Sequence, residues 1–391
     1  MSVLNLLITE RLLGSGVEER LLEIKPKYKQ IKDFLAHRIS TGQYAEGEKI
    51  PSENELAQQF SVSRHTVIKA LNELINEEMI CRRQGMGSFV APARTRRKNR
   101  IGVIIYHSDN PYYSRIIRGI ENYAERNGFY IVLCNSEGDI LKEESYIRGL
   151  LSEVDGFLIS PSYMQGELSP GVRLLLQKEI PFVLVSRLPS HKVADNIDFV
   201  IPDDYRGGYM ITRHLLDTGY MRVFFLTVVG LQKQPEIQDR FLGYKKALSD
   251  AGIPFDERFV LEAADTDPLH GYEKDGYRMA DRIISMTDRP FAVFAIGDSM
   301  AIGLMRGLRE KGIKVPRDIA LCGFDDIDLA GQWGIDLTTI RHPAAEMGRK
   351  AIEVLLQAIE NGESGGQQII LPVELKVRKT SLMSETRMPV A

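Results

Sequence analysis

The stretch VSRHTVIKALNEL, residues 62–74, repeats apolar side chains at the spacing of a helix that packs on a core. Polar side chains crowd the opposite face near its start, where Arg64, His65 and Lys69 would lie outward. The pattern therefore predicts a helix with a buried stripe and a basic, exposed start. The apolar positions on the predicted inner face are Val67, Ala70, Leu71, Leu74 and Ile75.

Two more helices are predicted upstream. Apolar residues recur at helical spacing across residues 28–39, and Gly42 supplies a C-terminal stop. Ser52 and Glu55 stand at the spacing of a capping box, which begins the second helix. A short turn, FSVS, follows, and Ser63 is placed to cap the helix quoted above. Two short helices joined by such a turn form a helix-turn-helix.

The segment MICRRQGMGSFVAP, residues 79–92, predicts a two-stranded ribbon after the third helix. Its first strand leads into a tight turn that needs the conformational freedom of Gly85 and Gly87. A second strand returns and ends at Pro92. A ribbon in this position is the wing of a winged helix-turn-helix.

Three motifs in this region resemble the GntR family of DNA-binding proteins. They are PSENELA at 51–57, VSRHTV at 62–67 and QGMGSFV at 84–90, which occur in the family's order and at its separations. Residues 25–92 are therefore identified as a winged helix-turn-helix DNA-binding domain. Its expected partner is double-stranded operator DNA.

The resemblance implies that the recognition helix enters the major groove and that the wing tip reaches the minor groove. Arg64 is expected at a base, because an arginine fork pairs with guanine through two hydrogen bonds. Many relatives carry a second arginine where this chain has Ile68, which could contact a thymine methyl group or simply pack; we favour packing. The other residues expected at the DNA, on phosphates or at the wing tip, are Asn54, Ser63, His65, Thr66, Lys69, Arg82, Arg83, Gln84 and Gly85.

Charge is distributed unevenly along a chain whose net charge is −3. Residues 25–100 carry 15 basic and 8 acidic side chains, a net charge of +7. Residues 79–108 contain no acidic side chain, and residues 93–100 have the composition of a basic linker. A basic front on an acidic body indicates a polyanionic partner for the front, although a solvated basic linker would have the same composition.

Composition limits the class of protein. At 391 residues the chain is too long for one ordinary core, so two or three units are expected. No run of about 18 apolar residues occurs, which predicts that no helix spans a membrane. Residues 1–24 lack the basic lead of a signal peptide and are treated as an extension of unknown role. The cysteines Cys81, Cys134 and Cys322 lie far apart, which fits a reducing cytoplasm.

Short apolar runs alternate with amphipathic stretches from residue 101 to about residue 385. The runs include IGVIIY, DGFLISP, IPFVLVS, VFFLTVV, FAVFAIGD and IALCGFDD. Such alternation predicts parallel sheets covered by helices on both faces. The segment is too long for one sheet, so we expect an α/β body of two Rossmann-like lobes with a cleft between them. Neither GxGxxG nor a phosphate-binding GxxxxGKS or GxxxxGKT motif occurs, which argues against nucleotide binding.

The order of these runs resembles the effector domain of LacI/GalR-type repressors, which is similar to periplasmic sugar-binding proteins of type I. The more specific matches are DRFLGYKKAL at 239–248, AIGDSMAIGLMRGLREKGIKVPRDIALCGFDD at 295–326 and LTTIRHPAAEMGRKA at 337–351. The resemblance implies a two-lobed domain over residues 101–385 that binds a small sugar. A GntR-type head on such a body is the arrangement of the arabinose repressors of Bacillus-like bacteria, which makes L-arabinose one candidate sugar.

Ligands of open parallel sheets bind beyond the carboxyl ends of the strands, which singles out the residues just after each strand. Asp298 ends the run FAVFAIGD and could accept hydrogen bonds from two sugar hydroxyls, or could cap the following helix; we favour the ligand role. Arg240 matches the arginine that clamps the effector in the family; the alternative is a surface helix residue. Tyr112 and Tyr113 follow the first strand, and we expect one of them to stack on the sugar while the other packs in the core. Weaker candidates are Arg187, Gln234 and His270.

These features predict a transcriptional regulator, and specifically a repressor, that binds a near-palindromic operator as a homodimer. A sugar that binds one arrangement of the lobes better would shift the affinity for DNA. Two alternatives stay open: a ligand that promotes DNA binding, and a sugar-binding protein associated with transport. No HExxH motif occurs and the seven histidines form no cluster, so neither an enzyme nor a cofactor or metal is expected.

Overall fold

The structure is a computed structural model of the chain. The residues that it describes are 26–77, 79–83, 85–91, 98–108, 110–162, 167–189, 196–230, 234–264, 272–286, 289–362 and 365–382. The chain divides into two compact units, Met1–Lys98 and Asn99–Ala391. The predicted extension 1–24 and most of the predicted linker lie outside the described residues, and Arg100, assigned to that linker, begins the first strand of the second unit. Within the described ranges, no helix combines the length and the apolar character needed to cross a membrane.

Among its described residues, the first unit, here called the head, has three helices and a two-stranded ribbon. Ser52 accepts a hydrogen bond from the backbone N–H of Glu55, and the Glu55 carboxylate accepts one from the N–H of Ser52. The predicted capping box is thus confirmed, as is Ser63 as the N-cap of the third helix. The elements are α1 (Lys27–Ser40), α2 (Glu53–Gln59), α3 (Arg64–Asn76), β1 (Ile80–Arg83) and β2 (Gly87–Val90).

The ribbon packs on the helices through its inward side chains. Its strands are antiparallel, with Ile80 opposite Val90, and both residues join the core formed by the three helices. Gly85 and Gly87 have φ angles of +73° and +107°, the left-handed region that glycine adopts without strain. The predicted wing and its glycine turn are confirmed.

The N-terminal lobe of the second unit is a six-stranded parallel sheet with helices on both faces. The elements are β3 (Arg100–Ile105), α4 (Pro111–Arg126), β4 (Tyr130–Asn135), α5 (Ile140–Leu150), β5 (Gly156–Ile159), α6 (Pro170–Gln177), β6 (Phe182–Val185), β7 (Phe199–Pro202), α12 (Ala344–Asn361) and β13 (Gln368–Leu371). The strand order is β13-β7-β6-β5-β3-β4. Alternate residues of the inner strands enter two separate cores, one under α4 and α12 and one under α5 and α6, because successive side chains point to opposite faces of a sheet.

The C-terminal lobe is built around a four-stranded parallel sheet. The elements are α7 (Asp204–Asp217), β8 (Val223–Val228), α8 (Pro235–Asp250), β9 (Val260–Ala263), α9 (Glu273–Arg278), α10 (Ala280–Ser285), β10 (Phe291–Ala295), α11 (Asp298–Glu310), β11 (Ile319–Cys322), β12 (Thr339–Arg341) and β14 (Glu374–Lys376), with 3-10 turns at Glu257–Phe259, Asp328–Gly331 and Lys379–Ser381. The strand order of the sheet is β11-β10-β8-β9, and the antiparallel pair β12 and β14 lies beside it. The chain passes between the lobes after β7, after β12 and after β13, so the lobes are connected by three short segments.

Helices α7 and α8 pack closely enough to bring a side chain of one helix into contact with a side chain of the other. A Cβ atom on Gly208 of α7 would lie 2.1 Å from the carbonyl oxygen of Arg240 on α8. Only glycine fits there, because real Cβ atoms do not come that near to a backbone oxygen. This contact brings Asp204, at the start of α7, to the side chain of Arg240.

Candidate functional site

The exposed face at the start of α3 carries residues that were predicted to meet DNA. Arg64, His65 and Lys69 are exposed there, whereas Val67 is fully buried in the head core. Ile68 lies half-buried between these two environments. The predicted division of this helix into a buried stripe and a basic exposed start is confirmed.

One carboxylate joins the recognition helix to the wing. Glu53, the first residue of α2, accepts a hydrogen bond from Nε of Arg64 at 2.8 Å and also contacts Nη2 of Arg82 on β1. The side chain of Arg64 nevertheless remains 67% exposed. Because water screens exposed ion pairs, these contacts orient the two arginines more than they stabilise the head.

Three more residues predicted at the DNA have neighbours within the head: Ser63 and Thr66, which were expected at phosphates, and Lys69. The hydroxyls of Ser63 and Thr66 lie 2.8 Å apart at the N-terminus of α3. Nζ of Lys69 lies 4.1 Å from the ring centre of Tyr28, a cation–π contact from α3 to α1. The three side chains stay at the surface near the start of α3, so a DNA phosphate could replace these contacts within the head.

The wing presents a second basic element. The guanidinium carbon of Arg83 lies 4.7 Å from the ring centre of Phe89 on the opposite strand. Gly85, at the tip, is exposed, as is Asn54 on α2. Gln84, the other predicted wing-tip residue, lies outside the described residues.

A cavity of about 120 Å³ lies between the two lobes of the second unit, where the carboxyl ends of both sheets meet. The main contributors from the N-terminal lobe are Tyr106, His107, Tyr112, Tyr113, Ser186 and Arg187. The main contributors from the C-terminal lobe are Asp204, Gln234, Glu236, Arg240, Tyr272 and Asp325. The cavity therefore lies at the sheet edge where the strand-end rule predicts a ligand.

Arg240 is held at the cavity wall by two carboxylates. Its Nε donates to Oδ1 of Asp204 at 2.7 Å, and its Nη2 lies 3.7 Å from Oδ1 of Asp325. The Arg240 and Asp204 side chains are only 11% and 6% exposed. Burial raises the pKa of Asp204 even with the guanidinium beside it, whereas for Arg240 the two carboxylates outweigh burial and raise its pKa. The pair presents an acceptor and a donor together at one point of the wall.

Arg187 reaches across the cavity from the loop after β6. Its Nη2 and Nε lie 2.9 Å and 3.0 Å from Oε1 of Glu236 at the start of α8. The guanidinium also covers the ring of Tyr106 at 3.8 Å from its centre. Because the paired side chains are 7% and 15% exposed, this ion pair between the lobes is largely shielded from water.

Both predicted tyrosines line the cavity. The Tyr112 hydroxyl lies 2.9 Å from Oγ of Ser186, and its ring centre lies 5.1 Å from that of His342. The Tyr113 hydroxyl accepts a hydrogen bond from Oγ of Ser160 at 3.2 Å. Burial raises the pKa of both phenols, so both stay neutral.

The two remaining candidates have different outcomes. Gln234 lines the cavity at the N-terminus of α8, and its Nε2 donates to the hydroxyl of Tyr272 at 3.3 Å. His270 lies outside the described residues.

Asp298 occupies a different position from the one expected for a sugar ligand. It is fully buried, it is absent from the described lining of the cavity, and Gly297 rather than Asp298 is the N-cap of α11. Its Oδ2 accepts from the N–H of Ile327 at 2.9 Å and its Oδ1 from the hydroxyl of Thr339 at 2.5 Å. Burial and the nearby carboxylate of Asp325 raise the pKa of Asp298 well above its usual value. Asp298 is therefore a structural group that fixes the segment after β11, neither a cavity residue nor a helix cap.

Sequence reasoning missed three carboxylates of the wall: Asp204, Glu236 and Asp325. For Asp325 the sequence does carry a signal, because Asp325 follows the apolar residues of IALCGFDD just as Asp298 follows those of FAVFAIGD. The backbone of Asp325 has a φ angle of +110°, and its Oδ1 lies 3.2 Å from Nε2 of His342. Asp325 thus takes the position at the cavity that was expected for Asp298.

The residues after Asp325 connect the cavity wall to the other lobe. Arg115, on α4 of the N-terminal lobe, donates to the carbonyl of Asp326 at 2.9 Å and contacts the carboxylate of Asp328. Despite partial burial, Arg378 and Arg341 hold the pKa of Asp326 below its usual value. Residues 325–328 therefore meet the cavity at one end and the N-terminal lobe at the other.

Comparison with known proteins agrees with this architecture. Residues 27–90 match the gntR family of bacterial regulatory proteins, and residues 212–381 match a periplasmic binding protein-like domain. The chain is 32% identical to the arabinose metabolism transcriptional repressor of Geobacillus stearothermophilus over 86% of its own length and 92% of the relative. It is 36% identical to the HTH-type transcriptional repressor PurR of Vibrio vulnificus over 72% of its own length and 80% of the relative.

A solved structure supports the assignment of the two-lobed unit. The LacI family transcriptional regulator from Enterococcus faecium, with bound ribose, has a TM-score of 0.61 and 28% sequence identity to this chain. The match covers 73% of this chain and all of that one.

A winged helix-turn-helix and a two-lobed periplasmic-binding-protein-like domain on one chain define a class of transcriptional regulator. This chain belongs to the GntR-headed family that includes the arabinose metabolism transcriptional repressor of G. stearothermophilus. The predicted family and fold class are confirmed. The relatives are regulators of transcription rather than enzymes.

Proposed function

We propose that this protein is a sugar-responsive transcriptional repressor. Its head binds operator DNA through the start of α3 and the ribbon, and a small sugar in the cavity between the lobes releases the operator. The observation that carries the proposal is the wall of that cavity, where polar side chains from both lobes meet beyond the ends of parallel strands. Both named relatives are transcriptional repressors, which supports repression as the role of the DNA-bound protein.

The chemistry of the wall suits a polyhydroxylated ligand. A sugar hydroxyl both donates and accepts, so it can bridge a carboxylate such as Asp325 and a guanidinium such as that of Arg240, which lie 3.7 Å apart. The tyrosine rings supply apolar faces against which the C–H groups of a sugar pack. L-Arabinose and ribose are the first sugars to test, because the former is named by a relative and the latter is bound in a structural neighbour.

The DNA contacts are assigned by position in the head. Arg64 contacts a base in the major groove, and Arg82, Arg83 and Lys69 contact phosphates, which position the protein without selecting sequence. A homodimer presents two such heads to a near-palindromic operator, since half-sites mirror the twofold axis of the protein. The sugar weakens DNA binding only if it binds the low-affinity arrangement better, and by the same coupling DNA must weaken sugar binding.

A two-part experiment tests the proposal. Operator sites are first selected from a random duplex library with the full-length protein, and binding is measured by fluorescence anisotropy. A thermal-shift screen with L-arabinose, D-ribose, D-xylose, D-galactose and D-glucose then identifies the ligand, since a ligand that binds only the native state raises Tm. The expected result is one sugar that raises Tm and also weakens operator binding at least tenfold.

Other outcomes would change the proposal in defined ways. A sugar that tightens operator binding would reverse the sign and make the ligand a co-repressor. Operator binding that no sugar in the screen alters would refute the sugar response while leaving the DNA-binding assignment intact.

A further inference from the structure

His107 is a buried polar side chain of the cavity wall, and among the described residues neither of its ring nitrogens has a hydrogen-bond partner. It follows β3 at the carboxyl end of the N-terminal sheet, lines the cavity and is 6% exposed. A neutral imidazole offers one donor and one acceptor, and burying both without partners costs free energy.

The neighbouring polar groups differ from His107 in this respect. Tyr112 is bonded to Ser186, and Arg240 is paired with Asp204. These groups are satisfied before any ligand arrives, so their positions are fixed by the protein itself. An orphaned polar side chain in such a wall needs a separate explanation, because buried polar groups in native proteins are nearly always bonded.

We propose that His107 binds a hydroxyl group of the sugar through its ring nitrogens and so determines which sugars are accepted. The inference rests on the proposed function and goes beyond it by assigning specificity to a residue that no motif singled out. A hydroxyl supplies both the acceptor and the donor that a neutral imidazole lacks here. An analogue that lacks this hydroxyl leaves the imidazole unsatisfied again, so discrimination against it should be strong.

The test uses the full-length protein and the sugar that gives the largest thermal shift in the screen above. Isothermal titration compares the wild type with His107→Phe, which keeps a planar ring but removes both nitrogens, and with His107→Gln, which keeps a donor and an acceptor. We expect His107→Phe to weaken sugar binding at least tenfold and His107→Gln to weaken it less. Operator affinity without sugar should stay within twofold for both variants, which shows that they fold. His214→Gln is the matched control, since His214 is bonded to Ser381 and lies outside the described cavity lining.

Monodeoxy analogues of the same sugar give the decisive comparison. One of them should lose at least tenfold in affinity for the wild type but no more than twofold for His107→Phe, because its missing hydroxyl has no partner in that variant. Equal losses for every analogue in both proteins would overturn the assignment, as would sugar affinity in His107→Phe within twofold of the wild type. If the wild type binds operator but none of the sugars, the proposed sugar response fails and this inference fails with it. If the wild type binds sugar normally and only the His107 comparison fails, the proposed function stands.

Discussion

Replacing Arg240 by alanine should damage both folding and sugar binding, for one physical reason. Arg240 and Asp204 are a buried pair, 11% and 6% exposed, with 2.7 Å between Nε and Oδ1. Removing one partner leaves the other as an uncompensated group in a dry site, which costs about 3–5 kcal/mol. We therefore expect Arg240→Ala to lower the free energy of unfolding of the two-lobed unit by about that amount, and to abolish the response to sugar.

A double variant of Arg240 and Asp204 distinguishes loss of their ion pair from a destabilisation unrelated to it. Asp204→Asn alone should cost less, because an amide oxygen can still accept from Nε of Arg240. Adding Asp204→Asn to Arg240→Ala removes the stranded carboxylate, so the two changes should be non-additive by at least about 1 kcal/mol. Urea unfolding followed by circular dichroism measures all four proteins, and titration calorimetry measures their sugar affinity.

Arg258→Ala is the matched control for this cycle, since Arg258 is 85% exposed and pairs with Asp256 at the surface. It should leave unfolding and sugar binding almost unchanged. Additivity of the Arg240 and Asp204 changes, or an Arg240→Ala protein as stable as the control, would refute the reasoning.

Three further predictions concern other residues. Arg64→Ala should weaken binding to the selected operator by about 1–3 kcal/mol and relax specificity at one base, in anisotropy assays with single-base operator variants. Arg82→Ala should weaken binding to all duplexes alike and lower the slope of log affinity against log salt by about one unit. Asp298→Asn should leave sugar affinity within threefold and flatten the pH dependence of unfolding above the usual pKa of an aspartate. Because the pKa of Asp298 is raised in the folded protein, its contribution to stability is complete below its unfolded pKa and is lost as pH rises through the folded value.

Each of these has a result that contradicts it. Unchanged base preference in Arg64→Ala would remove Arg64 from the major groove. A loss confined to one operator base in Arg82→Ala would make Arg82 a base contact rather than a phosphate contact. A tenfold loss of sugar affinity in Asp298→Asn would show that Asp298 does contribute to sugar binding.

The local features of the head could be predicted because neighbouring residues create them. The capping pair Ser52 and Glu55 and the glycine turn of the wing depend on spacings of two or three residues, which a sequence shows directly. The bridge from Glu53 to Arg64 and Arg82 joins positions far apart in the sequence, and charge patterns alone do not identify such partners.

In the cleft, too, the sequence alone does not predict which distant residues come together. The strand-end rule points to the edge of both sheets where the cavity lies, and Tyr112 and Tyr113, with the family-matched Arg240, line its wall. The rule does not distinguish Asp298 from Asp325, because both residues follow strands. The carboxylate of Asp325 lines the cavity, whereas that of Asp298 is buried in the protein. Asp325 has a φ angle of +110°, and no periodicity in the sequence reports such a backbone conformation.

The short segment 325–328 has a practical consequence for anyone who would convert this protein into a biosensor. Asp325 lines the cavity, while Arg115 from the opposite lobe contacts Asp326 and Asp328. Substitutions in that segment would alter both ligand specificity and the contact between the lobes, so specificity and response could not be adjusted independently. Gln234 and Tyr272 bond to each other on the C-terminal wall and lie outside this segment. A sensor for a different sugar is best built by redesigning those two side chains and leaving the 325–328 junction unaltered.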